Sequence, residues 1–95
     1  MDRIKFEWDE NKNIINKKKH GISFEEAQTV FYDADALVIS DPEHSVAEER
    51  FVIMGISSYA NLLVVCHCYR ASDTVIRLIS ARQATHNETK QYNNH

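Results

Sequence analysis

Ile76-Arg77-Leu78-Ile79-Ser80-Ala81-Arg82 decides how this chain is read. It alternates as a half-buried strand does. Strict alternation puts Ile76, Leu78, Ser80 and Arg82 on one face and Arg77, Ile79 and Ala81 on the other. A mainly apolar strand with an arginine near each end is an unusual place for charge, because a guanidinium is rarely buried without a partner. The two arginines either pair with carboxylates at a sheet rim or await an anionic ligand.

Strand signals extend outward from it. Ala71-Ser72-Asp73 reads as a tight turn, so the strand at about 74–82 follows one at 62–70 that ends in Arg70. An earlier strand at about 50–57 ends where Gly55, Ser57 and Ser58 cluster. Short connections favour an antiparallel meander. Ala36 to Ser40 is apolar and partly β-branched, hence one more short strand. Asp41-Pro42-Glu43-His44-Ser45 reads as a loop, since Pro42 has no amide donor and Asp41 and Ser45 form turns.

The N-terminal part changes period. Ile4-Lys5-Phe6-Glu7-Trp8 alternates as a strand. Asp9 is placed to cap a helix from about Glu10 to His20, and Gly21 to stop it in the left-handed conformation. Ile14 and Ile15 are its few apolar anchors, while Lys12, Asn16 and Lys19 share a face. Lys17, Lys18 and Lys19 suit the negative end of the helix dipole. Ser23-Phe24-Glu25-Glu26 has the form of a capping box. The helix it opens carries Phe24, Ala27, Val30 and Phe31 on one stripe and ends near Asp33. Residues 84 to about 92 form a weakly amphipathic last helix. The order is βααββββα: an α+β fold with helices against one antiparallel sheet.

Bulk properties narrow the class. The 95 residues suit a single domain spanning 1–95, with one small core. A 43% hydrophobic and 26% charged composition is ordinary for a globular protein. No apolar run approaches the roughly 18 residues of a membrane span, and the N-terminus lacks the apolar segment of a signal peptide. A cytoplasmic location is expected. Both cysteines lie in Cys66-His67-Cys68, too close for an easy disulfide and read as reduced thiols. On a strand His67 points away from both, so no metal is expected there. Net charge is −3, but residues 1–49 carry a balance of −6 and residues 50–95 one of +3. An acidic chain can therefore still present one cationic face.

Together the residues resemble a known family. Trp8-Asp9, Lys12, Asn16, Lys19-His20-Gly21, Phe24 and Ala27 form the first block. His44-Ser45, Glu48-Glu49-Arg50, Gly55 and Ser57 follow, then Ile76 to Arg82, Ala84, Glu88 and Tyr92. This pattern resembles the BrnT toxins of bacterial type II toxin–antitoxin systems, over residues 6 to 92. The resemblance implies a fold similar to RelE-like ribonuclease toxins and metal-free RNA cleavage that halts translation and growth. It implies no cofactor. It also implies a BrnA-like antitoxin with a ribbon-helix-helix domain, through which alone the pair would touch operator DNA. Two departures remove phosphate-binding charge. Gln83 to Lys90 holds one lysine where such toxins usually carry several cations, and Ala60-Asn61 stands where Gly-Arg is frequent. A catalytically weakened module that only binds its antitoxin is the other reading.

The chemistry needs a base for the 2′-OH, cations for the phosphate and an acid for the 5′-oxygen. Arg70, Arg82 and Arg77 are the candidate cations, since a planar guanidinium meets two phosphate oxygens at once. Arg70 and Arg82 end antiparallel strands and should sit at opposite ends of a hairpin. His20, His44, Glu49 and Lys12 are the candidates for proton transfer. Each also has a plain structural role open to it, in a helix cap, a turn or a rim ion pair. Lys19, Arg50 and Lys90 are candidate RNA contacts. Tyr92 can stack on a base or anchor the last helix.

Overall fold

In the computed structural model, residues 4–40 and 49–95 are described. The expected loop at 41–45, with His44, lies outside them. Five strands form one sheet: β1 (Lys5–Glu7), β2 (Leu37–Ser40), β3 (Phe51–Ile56), β4 (Leu62–Arg70) and β5 (Val75–Gln83). Helix α1 (Glu10–His20) follows β1. Helix α2 (Phe24–Ala27) continues as a 3-10 turn over Gln28–Tyr32, and α3 (His86–Asn93) follows β5. The strand order is β1-β5-β4-β3-β2.

The meander β2 to β5 is antiparallel, but β1 pairs in parallel with β5. Parallel neighbours need a long crossover, and here everything from α1 to β4 intervenes. β1 has only three residues and covers only Val75 to Arg77. The next stretch of the β5 edge is covered by a side chain. Asn16 of α1 donates to Ala81 O at 2.8 Å and accepts from Ala81 N at 3.1 Å, as a neighbouring strand would. It donates also to Ile22 O at 2.8 Å.

Asn16 is one reason α1 differs from its expected packing. Ile14 and Ile15 were the expected anchors, yet they are 47% and 60% exposed. The residues buried on α1 are Asn13 and Asn16. Asn13 accepts from Phe24 N at 2.8 Å and donates to Glu25 at 2.9 Å, so it fastens α1 to the start of α2. The helix thus docks by satisfying backbone groups rather than by burying an apolar stripe. Its ends follow expectation: Asp9 accepts from Asn11 N, and Gly21 has φ 73°.

α2 starts at Ser23, whose hydroxyl accepts from Glu26 N at 3.0 Å. Only this half of the expected capping box forms. Glu26 is buried and accepts from Ser57 Oγ at 2.7 Å and Asn61 Nδ2 at 2.8 Å, gripping the β3–β4 turn. In that turn Ala60 holds φ 63° without glycine's freedom. Phe24, Ala27 and Val30 pack with Ile22 on one face of the sheet, against Ile53, Leu63, Val65, Ile76, Leu78 and Ala81. Gly55 lets the 3-10 turn approach β3: a Cβ there would lie 2.9 Å from Val30 Cγ1 and 3.1 Å from Ala36 Cβ.

The other face is partly covered by α3. Leu37, Met54 and Val64 meet Glu88 and Gln91 in a small cleft of about 70 Å³. α3 has no buried residue of its own. It is held by polar pins: Glu88 to Arg82 near its start, and Tyr92 Oη to Asp33 at 2.5 Å near its end.

Candidate functional site

Within β5, Ile76 to Arg82 does not alternate strictly. Cys66 pairs with Ser80 and His67 with Leu78, so Ile79 is an extra residue in β5. This bulge reverses the side-chain phase within the strand. Ile76 and Leu78 face the core before it, and Ala81 faces the core after it. Arg77 therefore shares a face with Ser80 and Arg82 instead of opposing them. That face lies away from α1 and α2, and β4 contributes Cys66 and Arg70 to it.

Two arginine clusters stand there. At one end Arg77 Nη1 donates to Glu7 Oε2 at 2.9 Å, and Arg70 Nε lies 3.7 Å from the same oxygen. The parallel register places Glu7 directly beside Arg77. At the other end Arg82 meets Glu88 through two parallel bonds, Nη1–Oε1 at 2.8 Å and Nη2–Oε2 at 2.9 Å. Arg70 and Arg82 do lie at opposite ends of the hairpin, paired with Val75 and Val64 respectively. Next to Arg82 is a cleft of about 270 Å³ lined by Arg50, Val52, Val64, Cys66 and Ser80. Arg50 thus joins the cationic face from β3's leading end.

The Arg82–Glu88 pair is also a helix cap. Glu88 Oε1 accepts from Thr85 N at 2.9 Å, completing a capping box at the start of α3. Hydrogen bonds from Arg82, with its charge, hold the Glu88 carboxyl down at about 2, and the same pair raises Arg82. A carboxyl lowered from 4.5 to about 2 contributes stability above its unfolded value and loses it as pH falls through the folded one. Acidification from about 4.5 towards 2 is therefore expected to release α3 first. Amide exchange should show protection lost over residues 86–93 while β4 and β5 stay protected. Loss of all three together would contradict a separately pinned helix.

Tyr92 is pushed up to about 12 by its hydrogen bond to Asp33 and by burial. Asp33 is raised by its own burial, but the bonds from Tyr92, Ile56 N and Asp35 N outweigh this and leave it lowered. Tyr92 is thus placed as the anchor of α3. Lys90 is exposed on the same helix.

The proton-transfer candidates are elsewhere. Lys12, Lys19 and His20 are exposed on α1, and their side chains make no hydrogen bond or ion pair among the described residues. Glu49 lines a cleft of about 420 Å³ with Phe51, Tyr69 and Asp73. Phe51 and Tyr69 pack on His67, which is fully buried on the helix side. Burial lowers His67's pKa and holds it neutral. His67 turns away from Cys66 and Cys68, which stand on the opposite face of β4. The structure therefore gathers Arg50, Arg70, Arg77 and Arg82 on one face and leaves Glu49, Lys12 and His20 off it. It adds two carboxylates the sequence did not single out as site residues, Glu7 and Glu88. Glu7 gave a weak signal, a charge on the polar side of the first strand. Its partner could not be read without the parallel register.

The architecture is a mixed five-stranded sheet with α1 and α2 on one face and a cationic opposite face that α3 partly covers, a small α+β fold. The crystal structure of the Brucella abortus ribonuclease toxin BrnT is similar, with a TM-score of 0.67 and 24% identity over 87% of this chain and 99% of that one. That likeness establishes the fold. The family model for the ribonuclease toxin BrnT of type II toxin–antitoxin systems matches residues 8–88. The chain belongs to the BrnT family. No curated protein matches it at significance.

Proposed function

We propose that this chain is a metal-independent endoribonuclease that halts translation and growth, and that a BrnA-like ribbon-helix-helix antitoxin neutralises it. The observation that carries this reading is the bulge at Ile79, which puts Arg77 and Arg82 on the sheet face that also bears Arg70 and borders Arg50. Four cations on one face suit a polyanionic strand whose phosphates enter successively. A dianionic phosphorane needs fixed positive charge, and arginines on paired strands supply it with little reorganisation. The face is accessible: the Arg70 and Arg82 side chains are 48% and 42% exposed. Cleavage by attack of the 2′-OH on the adjacent phosphorus needs a base, cations and a proton for the leaving 5′-oxygen, and protein side chains and water can supply all three. Operator DNA would be bound by the antitoxin.

A second reading has its own support. Arg77 and Arg82 are each already paired with a carboxylate of the same chain, Glu7 and Glu88. Such pairing would suit a face that serves only to bind an antitoxin. One experiment separates the two readings. Induced expression of the chain alone is expected to arrest growth, with relief by the co-expressed neighbouring antitoxin frame. The purified protein is expected to cleave single-stranded RNA in EDTA. Growth and RNA both intact at confirmed soluble expression would leave the interaction module. Cleavage lost on chelation would refute metal independence alone.

A further inference from the structure

We propose that Lys12 and Lys19 of α1, with Ile15 between them, form a second contact for single-stranded RNA, reached from the arginine face around the edge of β5. This rests on the ribonuclease reading above and adds a subsite outside the face that reading uses.

α1 carries charge that the fold leaves unanswered. The whole chain is acidic, yet this helix holds Lys12, Lys17, Lys18 and Lys19 against Glu10 alone. The Glu10 carboxylate is taken by Trp8 Nε1 and Asn13 Nδ2. All four lysines are exposed, and among the described residues none forms an ion pair. The negative end of the helix dipole accounts for the three in the last turn. It does not account for Lys12, the third residue of the helix, where the positive end of the dipole opposes a cation. A lysine there weakens the helix slightly unless an anion from outside meets it.

Two amides fix which way each flank of α1 turns. Asn13 bonds Phe24 N and Glu25, so its side of the helix meets α2. Asn16 bonds both backbone groups of Ala81, so its side meets the edge of β5. Lys12 stands four residues before Asn16 and Lys19 three after it, hence on that side, and both lie beyond Asn16 as seen from Asn13. Ile15, also exposed, follows Lys12 by three residues and precedes Lys19 by four. The three side chains form one stripe along about 10 Å of helix, turned away from α2. Lys17 is on the other flank. There, after the hydrogen bond from Asn13, its charge helps to hold the Glu25 carboxyl of α2 below its ordinary value.

The stripe borders the arginine face. β1 pairs with β5 only from Val75 to Arg77, and among the described residues no strand covers that edge further on. Ala81, held by Asn16, faces the core, and the next residue, Arg82, faces the opposite side of the sheet. An RNA strand on the arginine face can pass over this edge beside Arg82 and meet the lysines with its following phosphates. Cation, apolar side chain and cation in succession suit a chain that carries phosphates along one side and bases along the other. An anionic membrane is a poorer match, because a helix lying on lipid needs a broad apolar face and α1 exposes two isoleucines.

The test measures binding of the purified full chain to 2′-O-methyl oligoribonucleotides, which lack the attacking hydroxyl and stay intact. A strand of about four nucleotides occupies the arginine face alone, and one of about twelve also rounds the edge. Wild-type protein should bind the longer strand at least about tenfold more tightly. Lys12→Gln with Lys19→Gln should remove most of that gain. The slope of log affinity against log salt should become shallower by about 1.4, the share of two phosphates on a single strand. Lys12→Gln alone should change it by about 0.7. Ile15→Ala should weaken binding of the longer strand without changing the slope. Lys17→Gln, on the other flank, should keep both gain and slope. Lysine and glutamine have similar helix propensity, so these variants should unfold at the wild-type temperature. A gain that survives in the double variant, or an equal loss in Lys17→Gln, would overturn the proposal. So would tighter binding to phosphatidylglycerol vesicles than to the longer strand, lost in the same double variant, which would assign the stripe to lipid. A wild-type chain that cleaves RNA but gains nothing from length overturns the subsite alone. One that binds neither strand and cleaves no RNA overturns the ribonuclease reading itself, a different failure.

Discussion

Asn16→Leu is expected to cost about 3–5 kcal/mol of folding stability, from the stranding of buried polar groups at about 1–3 kcal/mol each. Asn16 is 6% exposed and satisfies three backbone groups: both of Ala81's and the carbonyl of Ile22. Leucine has a similar size and no polar atom, so the Ala81 amide and the two carbonyls lose their partners together. A chain this small has about 5–10 kcal/mol in all, so the variant should be near its unfolding midpoint in water. Urea denaturation measures this directly. A loss below about 1 kcal/mol would mean that water or a rearranged backbone replaces the side chain. Asn16→Asp is informative as a companion, because a carboxylate still accepts from Ala81 N but faces the carbonyls of Ala81 and Ile22.

Arg82→Ala is expected to weaken RNA binding and cleavage by about 1.5–3 kcal/mol, the worth of one charge-assisted contact. That is roughly a ten- to 150-fold effect. Stability should fall far less, by under about 1 kcal/mol, because the Arg82–Glu88 pair is partly solvated and such pairs contribute little. The competing possibility is that Arg82 serves α3 and nothing else. The two roles part cleanly when unfolding midpoint and RNA affinity are measured on one preparation. A large drop in the midpoint with affinity unchanged would assign Arg82 to the helix pin alone.

The sequence made the element order legible because its signals are local. Asp9 before the first helix, Gly21 after it and Ser23 at the second act within one turn, and all three cap their helices, although Glu26 leaves the other half of the Ser23 box unmade. The stripe Phe24, Ala27 and Val30 is core for the same reason, as the helical period is intrinsic to the backbone. Tyr92 as an anchor was legible as one of two roles, and its hydroxyl on Asp33 is consistent with the structural one. Ile14 and Ile15 are apolar yet exposed, because hydrophobicity alone does not fix which face of a helix is buried. The buried side chains of α1 are amides, chosen by unpaired carbonyls and amides far along the chain.

The candidate site divides along the same line. Arg70, Arg77 and Arg82 could be named from composition and strand position alone. Whether they share a face could not, because one extra residue at Ile79 reverses every side chain beyond it, and a bulge is set by pairing across strands. Nor could Glu7 be matched to Arg77, which lies 70 residues away and meets it only through a parallel register. By itself, then, the sequence determined the order of elements, their caps, the core stripe and the identities of the cations, all governed by neighbours within a few residues. The tertiary structure alone decided that the four arginines share one face, that two of them converge on Glu7, and that Glu88 pins the last helix to Arg82. Those facts rest on strand register, which depends on pairing energies summed over the whole sheet.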